Sequence, residues 1–533
     1  MPGGRTERAA VGPFPLLDPS PLDATGPGAP TAPIPLPAAA ATTARGGATI
    51  VAVDDATLSR LRDACATVTV DHAERAEASR DWWPLAMTWA LDNQVAGLAS
   101  VVVRPDTDNE VVEVLRVCNE ARVPVTPAAG RSGVVGGSVP MFGGVLLDLC
   151  GLSGIRSVND TSLVLDIAAG TFGDHLEAEL RTEHGLTVGH WPQSIALSTV
   201  GGWLACRGAG QFSNRYGKVE DMVIGLDVVL ADGRRLHTGG NARQAVGPDL
   251  TQLFVGSEGT LGVITGARLR LHPAPAAEAR AAYGFATFAE GLDACRRVLR
   301  RGAAPAALRL YDAIEADRSW STGDRAVLLV LDEGDPVLVE AAMTVTAAEC
   351  RAAEPLDTDL VARWWAHRND VSALEALIAR GYVVDTMEIT GRWGALAEMY
   401  AETCAAIGSV PGVIAVSAHL SHSYTDGACL YFTFAGKPSE DPSTDDKADF
   451  YRHCWDAGVE AVLARGGALS HHHGIGLNRA RFMGSALGSG AFDALVAVKR
   501  ALDPMGILNP GKLGLPTSFG DPGWPGPRSG PTP

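Results

Sequence analysis

Apolar and polar positions along this chain follow two rhythms, and each predicts its own elements. In SVVVRPDTDNEVVEVLRVCNEARVPVTPAAG (100–130) the run Val101–Val103 reads as a strand. After a turn, Val111, Val112, Leu115, Val117 and Cys118 recur at helical spacing, and VPVT resumes a strand that ends in a glycine turn. GGVLLDL (143–149) and SLVLDIAAG (162–170) are two further strands, and VIGLDVVLADGRRLHTGG (223–240) is a hairpin turning at Asp232-Gly233. VDDATLSRLRDACA (53–66) predicts a helix with Asp54 or Asp55 near its start. HPAPAA breaks the pattern at 272–277, and residues 274–300 read as Ala-rich helix, which puts a domain boundary near 273.

The ends carry little pattern. Residues 1–46 are dominated by Pro, Ala, Gly and Thr, and the tail (516–533, FGDPGWPGPRSGPTP from about 519) is similar. Both read as disordered, since few of their side chains can build a core. Residues 47–94 then form an N-terminal helical segment. At 46% hydrophobic and 20% charged, the 533 residues read as a soluble globular protein of two domains. The net charge of −17 argues against nucleic acid and anionic membrane as general partners. Any anionic substrate therefore needs local arginines or helix N-termini to offset this field. Nine cysteines without a CxxC pair suggest reduced thiols rather than a disulfide framework or a zinc knuckle. No apolar run approaches the roughly 18–20 residues of a membrane span, and the N-terminus lacks a signal core. A cytoplasmic location is the expectation.

Candidate chemistry begins with three glycine-rich stretches: TPAAGRSGVVGGSVP (126–140), HWPQSIALSTVGGWLACRGAGQFSNRYGKVEDMVIG (190–225) and GPDLTQLFVGSEGTLGVITGARLRL (247–271). Glycines let backbone N–H groups approach a flat or phosphorylated ligand. None of the stretches fits GxxxxGK[ST] or GxGxxG, so neither a P-loop nor a Rossmann site is supported. Each alone could be a structural turn; their order and spacing together are the informative signal.

PAAGRSG, STVGGW followed by CRGA, NRYGKVEDMV and GPDLTQLFVGSEGTLGVIT resemble the FAD-binding domain of the vanillyl-alcohol-oxidase/PCMH superfamily over about residues 95–273. The resemblance implies an α+β fold: a PCMH-type FAD-binding domain of two α+β subdomains, and a cap or substrate domain (274–515) built on an antiparallel sheet flanked by helices, whose C-terminus returns to the FAD domain. It implies FAD contacts from Pro127, Ala128, Ala129, Gly130, Arg131, Ser132 and Gly133 in the first loop. In the second they come from Gln193, Ser194, Ile195, Ala196, Leu197, Ser198 and Thr199, with Cys206, Arg207, Gly208 and Ala209. In the third they come from Glu258, Gly259, Thr260, Leu261, Gly262, Val263 and Ile264. Members with covalent FAD often carry a histidine in the first loop; Arg131 stands here, so non-covalent FAD is expected.

Within that superfamily, SHHHGIG (470–476), DGACLYFTFAG (426–436) and PAALRLYD (305–312) are similar to segments of alkyl-dihydroxyacetonephosphate synthases. The resemblance implies exchange of the acyl group of acyl-dihydroxyacetonephosphate for a long-chain fatty alcohol, through a flavin N5 adduct and without net redox change. Tyr431 becomes the proton donor and acceptor, His471, His472 and His473 shape the relay and the anion site, and Arg309 binds substrate charge or tunes the site. A homodimer and peripheral membrane contact are further expectations. An FAD-linked oxidoreductase acting on a D-2-hydroxyacid or an alcohol is the alternative on the same scaffold.

Other readings of these residues stay open from the residues alone. Tyr431 lies in an apolar strand and could be core; Arg309 could be a surface cation; the histidine run could be a solvated loop. A metal is not expected, because adjacent side chains diverge on a helix or a strand, and His419 and His422 lack a clear ligand pattern. A reactive phenol would need a neighbouring cation to draw its proton affinity toward neutrality. RWWAHRND (363–370) lines a tunnel or is a packed helix face. The family's second substrate arginine falls opposite Leu374, with Arg368 and Arg380 nearest.

Overall fold

The computed structural model describes residue 30, residues 34–370 and residues 372–524. The rest of the expected leader (1–29, 31–33) and tail (525–533) lies outside the described residues.

Val101–Val103, Val125–Ala128 and Val145–Asp148 pair in parallel, with Val68–Thr69 antiparallel at the edge. Continuous apolar runs suit strands covered on both faces, and all three valines at 101–103 are buried. The crossover helix Asp108–Ala121 starts in a capping box: the Thr107 hydroxyl accepts from the Glu110 N–H, and the Glu110 carboxylate accepts from the Thr107 N–H. A second, antiparallel sheet runs in the order Arg235–Gly239, Val223–Val229, Val263–Arg270, Val164–Ala168, Ile155–Asn159. Its hairpin turns at Gly233, where φ is +81°.

The second half is a seven-stranded antiparallel sheet in the order Glu354–Leu356, Ala277–Phe285, Ala326–Gly334, Ala307–Tyr311, Val413–Ser423, Gly427–Gly436, Val383–Arg392. Helices Phe288–Arg300, Pro336–Glu349, Trp393–Gly408 and Thr444–Ala464 share its core, through residues such as Leu292, Val339, Met399 and Trp455. Its opposite face looks toward the first half of the chain across a cavity of about 870 Å³. After the last helix the chain returns to the first sheet: the Val125 N–H donates to Ile507 O and the Asn509 N–H to Val125 O.

Three expectations need correction. Residues 277–285 are a strand rather than the start of an Ala-rich helix, because nine residues pair with Ala326–Gly334. Tertiary pairing here outweighs the helix propensity of alanine. Residues 34–46 are not a structureless leader: Ile34 and Leu36 are buried, and Thr43–Ala44 pairs with Gln94–Val95. In the tail, Phe519 packs on Phe142, and Trp524 meets Trp83 and Trp89 edge-on. A few large apolar side chains anchor segments whose composition is otherwise poor in them. Among the described residues no helix is long and apolar enough to cross a membrane.

Candidate active site

The glycine loops meet backbone to backbone. A Cβ on Gly130 would lie 2.2 Å from the Leu197 carbonyl oxygen, so only glycine lets the first two loops close on each other. Gly137 has a different reason for being glycine. A Cβ there would meet nothing within 4 Å, and one on Gly202 only the Thr199 hydroxyl, yet both line the cavity. They leave a smooth wall for a ligand to lie against. His190, wholly buried on the same wall 4.5 Å from Trp203, has no partner for either ring nitrogen among the described residues. Burial, with Lys218 adding to it, drops its proton affinity to about 3 and keeps it neutral. Buried polar atoms in native proteins rarely go unpaired, so this ring is a ready donor and acceptor for a ligand. A flat, polyanionic dinucleotide fits this wall.

The expected cofactor residues divide. Pro127–Gly133, Gln193, Ser194, Leu197–Thr199, Cys206, Gly208, Ala209, Glu258, Gly259 and Gly262–Ile264 line the cavity. Ile195, Ala196, Arg207, Thr260 and Leu261 do not. Ile195 and Leu261 are core. Arg207 lies beside Glu220, and the Thr260 hydroxyl donates to Ser257 O. Glu258 reaches the cavity wall, but its carboxylate accepts the N–H groups of Ile475 (2.6 Å) and Gly476 (2.8 Å). Arg131 donates to Asp148 (3.2 Å), and burial pushes the Cys206 thiol up to about 12.

The opposite wall is written by strand register. Tyr431 pairs directly with Glu388 on one side and His419 on the other, and His419 pairs with Tyr311. Directly opposed residues share a face, so one row crosses four strands. Arg309, two residues from Tyr311, and Thr386, two from Glu388, join that face by alternation. The Tyr431 hydroxyl donates to Thr386 Oγ1 (3.0 Å), and its ring stacks on His419 at 4.9 Å and meets His473 edge-on at 5.5 Å. His419 Nδ1 bonds Glu315 (3.0 Å) and its Nε2 bonds Arg309 (2.8 Å), which assigns the proton to Nδ1. A bulge at Ser421 lets His422 face the cavity as well.

The phenol departs from expectation. Burial raises the proton affinity of Tyr431 above the usual tyrosine range, and the Thr386 hydrogen bond and the Arg309 charge offset only part of this. Tyr431 is a proton donor at rest.

His472 and His473 reach the cavity; His471 turns away, its Nε2 2.7 Å from the Tyr424 hydroxyl. The adjacent rings do not diverge, because residues 471–473 are neither helix nor strand: Nδ1 of His471 lies 2.8 Å from Nδ1 of His472. With His422, stacked on His471 at 4.6 Å, these rings place ring nitrogens within 4.8 Å of one another. Burial drives all three well below the usual histidine range. Lys218, whose ammonium donates to the His471 carbonyl (2.6 Å), opposes a divalent cation there. Neutral imidazoles also make a poor anion site. Positive charge at the cavity comes instead from Arg131, Arg309, Arg363 and Arg368. Arg368 lies flat on Trp365 with its carbon 3.4 Å from the ring centre. Arg380 is not on the wall, whereas Trp364, Arg368 and Leu374 are, so RWWAHRND both lines the cavity and packs.

Sequence reasoning missed His190, Thr386 and Glu315. His190 carries no motif signal beyond its place at the head of a glycine-rich stretch. Thr386 and Glu315 are positioned only by pairing and packing.

Residues 99–239 match the family model described as FAD binding domain, and residues 274–513 that of FAD linked oxidases, C-terminal domain. An alkyldihydroxyacetonephosphate synthase of Dictyostelium discoideum is 29% identical, covering 80% of this chain and 74% of that protein. The glycolate oxidase subunit GlcD of Bacillus subtilis is 28% identical over 80% of this chain and 92% of its own length. An uncharacterized FAD-linked oxidoreductase of Escherichia coli is 29% identical over 78% and 89%. Among solved structures, an alkyldihydroxyacetonephosphate synthase superposes with a TM-score of 0.70 at 23% identity over 86% of this chain and 85% of the other. For p-cresol methylhydroxylase with substrate bound the values are 0.72, 16%, 88% and 99%. With both family domains in order along one chain and the shared fold around one cavity, the protein belongs to the FAD-linked oxidase family and has the PCMH-type FAD-binding fold, with alkyldihydroxyacetonephosphate synthases among its homologues.

Proposed function

We propose that the chain is an FAD-dependent transferase of the alkylglycerone-phosphate synthase type, exchanging the acyl group of acyl-dihydroxyacetonephosphate for a long-chain alcohol. The observation that carries this reading is Tyr431: a protonated phenol on the cavity wall, oriented by Thr386 and in ring contact with His419 and His473. In the exchange a C1–oxygen bond to the fatty acid breaks, a C1–oxygen bond to the alcohol forms, and the alcohol's proton is released. No electrons are gained or lost overall, so the protein must supply proton handling rather than an electron acceptor. FAD, when bound, supplies the electron-poor ring against which the exchange takes place. Pro127–Gly133, Leu197–Thr199 and His190 would hold it. Attachment is non-covalent in this reading: Arg131 is tied to Asp148, and the Cys206 thiol is held protonated by burial.

Tyr431 lends a proton and takes it back, which general acid–base catalysis values at about 10²–10⁴-fold. Arg309 and Arg368 bind the phosphate, and Met87, Trp320, Trp364 and Leu374 offer the alkyl chains apolar wall. The test is anaerobic. Labelled hexadecanol should enter acyl-dihydroxyacetonephosphate with no electron acceptor present. Durable flavin bleaching by a D-2-hydroxyacid, with electrons passed to a dye and no label exchange, would overturn the reading in favour of an oxidoreductase. Tyr431→Phe should lower exchange about 10²–10⁴-fold with the flavin spectrum intact.

A further inference from the structure

We propose that Glu388 is the positioning residue of the histidine loop, a buried carboxylate that aims His472 and His473 into the cavity without itself touching substrate. Glu388 pairs with Tyr431 and is wholly buried, yet it is absent from the cavity wall. Its Oε1 gathers the Ser470 hydroxyl and the consecutive backbone N–H groups of His471 (3.2 Å), His472 (3.1 Å) and His473 (2.8 Å). Arg479, also wholly buried, bonds both oxygens. Three successive N–H groups turned onto one anion form a nest. The turned backbone carries His472 and His473 to the cavity and His471 to Tyr424.

The arrangement is costly to break. Without the carboxylate, three buried N–H donors are left unpaired, and the Arg479 guanidinium keeps its bond to Leu469 O but loses the carboxylate it is paired with. Although burial works against its charge, Arg479 and His473 hold Glu388 well below the usual carboxylate range, so the anchor is ionised throughout the working pH range. His473 Nδ1 lies 3.3 Å from Glu388 Oε2 without hydrogen-bond alignment. The far end of the loop is held from the other half of the molecule, where Glu258 takes the N–H groups of Ile475 and Gly476. The loop is therefore strung between two buried carboxylates, one from each half, and its histidines keep register only when both halves are docked. Positive φ at Gly474 (+86°) and Gly476 (+52°) makes the curl attainable.

The role rests on the reading that His472 and His473 face substrate; the placement itself does not. The test compares holoenzyme with Glu388→Gln and with Glu388→Asp, which keeps the charge on a shorter side chain. Three readouts are used: amide hydrogen exchange across 471–476, histidine ring NMR signals, and steady-state exchange kinetics. Glu388→Gln should accelerate amide exchange at 471–473 by about 10–100-fold. It should shift the ring signals and lower kcat about 100-fold with KM within about threefold, as expected for a misplacement of about 1 Å. Flavin absorbance should be unchanged. Glu388→Asp should fall between wild type and Gln, and it serves alone if Gln does not fold. Unchanged protection and kcat in whichever variant folds would overturn the proposal. If wild type turns over only a hydroxyacid, the transferase reading fails, while amide exchange and ring signals still decide the role of Glu388.

Discussion

His190, His422, His471 and His472 are neutral for one reason: each is stripped of water, and charging it would cost more than its neighbours return. The same desolvation keeps Tyr431 protonated. For His190 the consequence for stability has a definite sign. Its proton affinity is about 3 in the folded protein and about 6.5 when unfolded. Between those values the unfolded chain binds the extra proton, so the stabilisation is complete above pH 6.5 and is lost as pH falls. From pH 6.5 to 5.5 the wild type should lose about 1 kcal/mol more than His190→Phe, measured from denaturant midpoints. Equal losses would show that the ring is not held neutral. Residue types at the site were legible in the chain: Tyr431, His471–His473 and Arg309 stood out by motif. Their protonation was not, because it depends on burial among residues hundreds of positions away.

At the scale of elements, the cavity is a seam between loops that need glycine and a sheet face that needs register. The first seam yields a prediction. Gly130→Ala places a methyl 2.2 Å from Leu197 O and must push the first two loops apart. Overpacking of this kind costs about 1–3 kcal/mol, so FAD should bind roughly 10–100-fold more weakly, read from flavin fluorescence on dilution. Unaltered affinity would show that loop closure is not what shapes the wall. Helix Asp108–Ala121, the hairpin at Asp232-Gly233 and the helix capped by Asp54 were all legible, since caps, turn residues and periodicity act within a few residues. Strand Ala277–Phe285 was not, because its side chains favour a helix and only the partner Ala326–Gly334 makes it a strand. Nor was the bulge at Ser421, which brings His422 to the cavity side.

Across the whole molecule, the two halves are locked by charge as well as by packing. Arg215, from the flavin-binding half, makes paired bonds of 2.6 Å to Asp332 on the central cap sheet, and Asp332 is wholly buried. Arg215→Met should destabilise the protein by about 3–5 kcal/mol by leaving that carboxylate uncompensated. Arg215→Met/Asp332→Asn should recover much of the loss, since an amide oxygen can still accept the Ala306 N–H that Asp332 now holds. Denaturant unfolding of the pair checks this, and equal losses in both variants would refute it. The C-terminal return adds Asn509, which donates to Gly137 O and Glu258 O, and Lys512, which donates to Val139 O.

By itself the sequence determined the glycine loops, the helices at 55–64 and 108–121, and the residue types at the site. Each of these is carried by neighbours in the chain, through backbone freedom, capping and periodicity. Only the tertiary structure decided that Glu258 and Glu388 hold the histidine loop, that His190 stands unpartnered on the cofactor wall, and that Tyr311, His419, Tyr431 and Glu388 form one row. Apart from the hairpin pairing of His419 with Tyr431, those facts depend on strand register and on exclusion of water between segments from about 45 to 220 residues apart, distances over which local preference carries no information.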